Sequence, residues 1–127
     1  MAKPRNFVAV ALAGGLLASG WAAPAFSAAK YDGNWSVVVI TERGDCDRAY
    51  RYPVRVVNGA IQYTNEAGIS ITGRVDSGGR LRASIRRGQQ RADGSGRLSA
   101  TGGAGVWSGK DNVKQCSGRW EAERRGG

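Results

Sequence analysis

From Trp35 onward the apolar residues of this chain recur at every second position, and glycine and asparagine interrupt the pattern at short intervals. A period of two is the strand period, because successive strand side chains point to opposite faces, and no stretch shows the helical spacing. The pattern predicts strands over 35–42, 50–57, 60–64, 69–75, 81–86, 91–100, 104–108 and 116–124. The links between them are short, and Asn58-Gly59 is the clearest, since a type I′ turn needs two residues that tolerate positive φ. Links of this length join only antiparallel neighbours, because a parallel crossover takes a dozen residues or more. The expected fold is therefore all-β, an eight-stranded antiparallel up-and-down meander.

Cys46 and Cys116 are the chain's only cysteines, and an even count in an exported chain predicts a structural disulfide. If the first strand runs upward, both cysteines lie at the upper end of the meander. In an open sheet of eight strands they would stand roughly 33 Å apart, seven spacings of about 4.8 Å. A disulfide needs Cα atoms within about 7 Å. The bond therefore favours closing the sheet into a small barrel, which also removes both exposed edges. A two-sheet sandwich whose end strands meet is the alternative.

Lys3 and Arg5 precede an apolar run from Phe7 to Leu17, and small residues surround Pro24. This is the layout of a secretory leader, with a run too short and glycine-rich for a membrane span. The reading assigns residues 1–28 to a cleaved signal peptide and residues 29–127 to the mature domain, periplasmic or extracellular. The mature part keeps seventeen bases against ten acids, a net charge of +7, and fourteen of the bases are arginine. Arginine holds its charge at any pH and makes bidentate contacts to carboxylate and phosphate, so the bias points to an anionic partner.

Histidine is absent and no cysteine is spare. A Ser-His triad, a Cys-His pair, a zinc site and histidine ligation of haem are thereby excluded. The carboxylate pairs Asp45 with Asp47 and Glu121 with Glu123 lie in a turn-rich loop and on the outer wall, without the apolar pocket that raises a carboxyl pKa. No catalytic residue, metal or cofactor is expected.

The alternation places Trp35, Trp107 and Trp120 inside, as a structural core in the lower half of the barrel. Ala92, Gly94, Gly96, Ala100 and Gly105 also point inward, and such small residues either leave a cavity or make room for large neighbours. A packed tryptophan plug is the favoured outcome; a candidate pocket would lie above it, near Tyr50, Tyr52 and Tyr63. On the outside, Arg74, Arg82, Arg86, Arg91 and Arg97 share the wall of the fourth to sixth strands, with Arg80 and Arg87 in the flanking turns. This wall is the candidate site for an anionic partner: an anionic polymer, a lipid surface or an acidic protein. Nucleic acid is disfavoured, because no aromatic residues are interleaved with the arginines.

Through Tyr31-Asp-Gly-Asn-Trp35, Gly44-Asp-Cys46, Tyr50-Arg-Tyr-Pro-Val54 and Cys116-Ser-Gly-Arg-Trp-Glu-Ala122, the chain resembles small exported proteins of Gram-negative bacteria that lack an assigned activity. The resemblance covers most of the mature domain. Such sequences sometimes carry the label of exoproteins of haem utilisation or adhesion, and the axial ligands for haem are missing here. Gly33-x-Trp35 opening an eight-stranded meander is similar to avidin-like and lipocalin-like barrels. Two function classes follow. An interaction module acting through the arginine wall or the upper loops predicts a filled core; a small-molecule carrier predicts a void above the tryptophans.

Overall fold

The computed structural model describes residues 29–63 and 65–126. The leader assigned to residues 1–28 lies outside the described residues, as does Thr64. The strands are β1 (Gly33–Arg43), β2 (Ala49–Val57), β3 (Ala60–Gln62), β4 (Ile69–Val75), β5 (Arg80–Arg87), β6 (Gln90–Leu98), β7 (Gly102–Lys110) and β8 (Gln115–Gly126). Every neighbour pair is antiparallel, and β8 pairs with β1 to close the eight-stranded barrel. Cys46 and Cys116 are bonded across the upper end, with Cα atoms 6.2 Å apart. Of the two closures the bond permits, the barrel is the one formed.

The strand limits differ from the alternation in instructive places. β3 ends at Gln62 and, among the described residues, pairs with β4 through Ala60–Arg74 and Ile61–Gly73. The hydrogen-bonded wall between β2 and β4 therefore reaches only the lower half of the barrel. β6 stops at Leu98, so Ala100 sits exposed in the lower turn and not inside. Arg80 and Arg87 are not turn residues: both belong to β5.

The lower end is sealed by residues that precede the first strand. Tyr31 is 5% exposed and its carbonyl accepts the indole N–H of Trp35 at 2.9 Å. The next residue, Asp32, accepts the amides of Asn58 and Gly59 at 2.7 and 3.2 Å, fixing the β2–β3 turn in which both residues take positive φ, 50° and 78°. Arg124 continues the inward phase of Trp120 and Ala122 and lies over the Trp35 ring, 5.2 Å from its centroid. Its guanidinium donates to the carbonyls of Asp32 and Ala100. A planar fork with several fixed donors can tie carbonyls from separate segments together, which a lysine ammonium does less well.

The three tryptophans do not form a plug at one level in the lower half. Trp35 is at the bottom of β1, Trp120 stands opposite Val39, and Trp107 stands opposite Gly118 nearer the disulfide. Trp35 and Trp120 are buried at 2% and 5% exposure, and Trp107 is half-buried against the same core. The Trp120 indole N–H bonds the Ser95 carbonyl on β6 at 3.1 Å, and that of Trp107 bonds the Ile40 carbonyl on β1 at 2.9 Å. Each indole thus spans from its own strand past a glycine-bearing neighbour to the strand beyond. The rings follow the wall and leave the barrel axis open.

Candidate functional site

The barrel encloses a cavity of about 410 Å³ that opens at the upper end. This volume is within the range of small-molecule sites, about 300–1,000 Å³. The tryptophans the sequence places in the core belong to one apolar cluster, and the cavity is lined by all three. The small inward residues explain it: a Cβ on Gly96 or Gly105 would come within 2.5 Å of the Trp120 ring, so these two glycines accommodate the indole. Gly94 is different. A Cβ there meets nothing closer than 3.5 Å, and Gly94 lines the lumen with its β5 partner Ala83.

The depth of the cavity is apolar, with Val54, Val56, Ile61, Ile71, Leu81 and Leu98 among its lining residues. Polar groups gather at the mouth. Arg87 follows Leu81, Ala83 and Ile85 on the inward phase of β5 and reaches the opening, where Arg91, Lys110 and Lys114 also lie. Asp47, Asp93 and Asp111 line the mouth, and the last two are committed to other partners. Asp111 accepts the amides of Val113 and Lys114 at 2.8 Å each, which holds its carboxyl below the usual aspartate range. Asp93 accepts from Ser84 at 2.6 Å and pairs with Arg91 at 3.4 Å; the Ser84 hydroxyl, and then Arg91, lower its pKa. Glu66 is 3.9 Å from Arg87 and 3.5 Å from the Tyr50 hydroxyl, a loose set of contacts.

Of the predicted pocket tyrosines, Tyr50 and Tyr52 line the cavity. Their ring centroids are 4.6 Å apart, and Tyr63 meets Tyr52 edge-on at 5.8 Å, standing behind it beside the short end of β3. Burial, and then the neighbouring phenols, push the Tyr52 hydroxyl above its usual pKa. It therefore stays protonated and able to donate a hydrogen bond at any physiological pH.

Arg74, Arg82, Arg86, Arg91 and Arg97 are all exposed on the outside of β4–β6. The wall the alternation predicts is present, and the register adds Arg80, opposite Arg97. Arg87, which the sequence assigns to the upper loops around a candidate mouth, is at the mouth as the last inward residue of β5. The floor built by Tyr31, Asp32 and Arg124 was missed at the level of sequence. Its signal is phase, since Arg124 falls four residues after Trp120.

No helix among the described residues is long and apolar enough to cross a membrane. Comparison of the chain with protein-family models, curated proteins and solved structures finds no match.

Proposed function

We propose that this is an exported, non-enzymatic barrel that binds one small amphipathic molecule, its apolar body in the lumen and its anionic end at the mouth. The observation that carries this reading is the cavity of about 410 Å³, open at one end, apolar in depth and rimmed by arginine and lysine. Apolar surface that leaves water for such a lumen contributes about 25 cal/mol per Å². A carboxylate, sulfonate or phosphate at the rim finds Arg87 paired, among the described residues, with Glu66 alone, at 3.9 Å, with the Tyr50 and Tyr52 phenols beside it. Export is supported by the leader pattern and by the Cys46–Cys116 bond, which persists in an oxidising compartment.

The test is a titration with 8-anilinonaphthalene-1-sulfonate, a rigid apolar ring system bearing one sulfonate. The reading expects saturation at about one equivalent, blue-shifted emission and displacement by a long-chain carboxylate. Arg87→Gln should weaken binding about tenfold, the scale of one charge-assisted hydrogen bond. Non-saturating binding, or an affinity unchanged by Arg87→Gln, contradicts it.

A further inference from the structure

We propose that the outer wall of β4, β5 and β6 is a docking surface for an acidic polysaccharide chain, a site outside the lumen that borders its mouth at Arg91 and Asp93. The register opposes arginine to arginine three times: Arg74 to Arg82, Arg80 to Arg97, and Arg86 to Arg91. Side chains directly opposite in a ladder have Cβ atoms about 5 Å apart, and like charges there destabilise the sheet. Solubility needs charge, but it is better served by dispersed and mixed charge than by facing pairs of one sign.

The remainder of the barrel shows that this chain also places acids beside its arginines. Arg119 sits between Glu42 at 2.9 Å and Glu121 at 3.5 Å, and Arg125 pairs with Glu123 at 2.9 Å. On the β4–β6 wall the acid is Asp93, which pairs with Arg91. Asp76, in the turn before β5, directs one oxygen to the amides of Gly78 and Arg80 at 2.9 Å each. Arg74, Arg80, Arg82, Arg86 and Arg97 take part in none of the ion pairs among the described residues.

The chemistry of the wall selects among polyanions. Along β5, Arg80 to Arg86 covers about 20 Å at about 3.3 Å per residue, long enough for several repeats of a linear chain. The outward positions between the arginines include Ser70, Thr72, Ser84 and Ser95, which supply hydroxyls and little apolar surface. Binding of single-stranded nucleic acid draws on aromatic platforms, and peripheral membrane binding draws on apolar side chains that enter the headgroup layer. Neither is interleaved with these arginines. A chain of hydroxyl-rich rings bearing carboxylates or sulfates matches both the charge and the hydroxyls, and arginine forms bidentate contacts with such groups.

The experiment compares the oxidised parent with two variants of equal charge loss: Arg82→Gln, Arg86→Gln and Arg97→Gln on the wall, and Arg51→Gln, Arg119→Gln and Arg125→Gln elsewhere. The probes are a polyuronate, a single-stranded oligonucleotide and phosphatidylglycerol vesicles. The parent should bind the polyuronate most tightly, and the binding should fade as salt shortens the Debye length from about 10 Å at 0.1 M to about 3 Å at 1 M. The wall variant should bind about tenfold more weakly, while the other variant stays within about twofold of the parent. Its melting temperature should equal or exceed the parent's, because facing like charges are removed. Single Arg82→Gln and Arg97→Gln variants carry the same comparison if the triple variant fails to fold. Equal losses in the two triple variants would reduce the effect to net charge and overturn the proposal. A preference for the oligonucleotide or the vesicles would overturn it too, as would absence of polyuronate binding.

Discussion

Trp120 stands directly opposite Gly105 in the β7–β8 ladder, and its indole passes over that glycine to bond the Ser95 carbonyl on β6. The pairing lets a large ring lie along the wall, so the barrel keeps both an aromatic core and an open lumen. A side chain at position 105 would push the indole toward the axis.

Gly105→Ala is accordingly expected to destabilise the barrel by about 1–3 kcal/mol, the range for overpacking a close contact. Gly94→Ala should be close to neutral, because its Cβ meets nothing nearer than 3.5 Å. Urea unfolding midpoints of the two variants, measured side by side, check the contrast.

The Cys46–Cys116 bond spans 70 residues and joins the β1–β2 loop to β8. Removing it as Cys46→Ala with Cys116→Ala should cost about 4 kcal/mol on the chain-entropy account of a loop of this length. Guanidinium unfolding of parent and variant under oxidising conditions gives the number. An unchanged midpoint would mean that the β1–β8 ladder alone carries the closure.

Acid should loosen the mouth. The amides of Val113 and then Lys114 hold the Asp111 carboxyl below its ordinary value of 3.8, and Ser84 does the same for Asp93. Both folded-state values are depressed, so their contribution is present above the ordinary aspartate range and is lost as pH falls through the lower folded values. Amide exchange at Val113 and Lys114 should therefore accelerate, relative to base-corrected rates, below about pH 4. The Val75 amide, held by the Gly59 carbonyl at 2.7 Å at the opposite end, gives an internal reference without a carboxylate.

Much of this architecture was legible in residues taken one at a time. The alternation gives the antiparallel meander, Asn58-Gly59 gives a turn, and the two cysteines favour closure. The arginine wall follows from the same phase. What required the register was the fate of the interior. Gly94, Gly96 and Gly105 look alike in sequence, yet two of them accommodate Trp120 while a Cβ on the third would make only ordinary van der Waals contacts, at 3.5 Å and beyond. The floor was hidden for another reason: Tyr31 and Asp32 precede the first strand, and Arg124 has the chemistry of a surface residue although its phase turns it inward. The short β3 was obscured as well, since Tyr63 keeps the alternation going one residue past the last ladder pair.

The central claim is that the lumen is open and takes an amphipathic guest, and Gly94→Leu tests it most directly. A leucine there extends into a space whose nearest lining is Ala83, Trp107 and Trp120. If the lumen is open, the new side chain fills part of it: stability measured by urea unfolding stays level or rises, and saturable anilinonaphthalenesulfonate binding is lost. If the core is packed, the same substitution overfills it and lowers stability by about 1–3 kcal/mol. That destabilisation, in a parent that shows no saturable binding, would contradict the account.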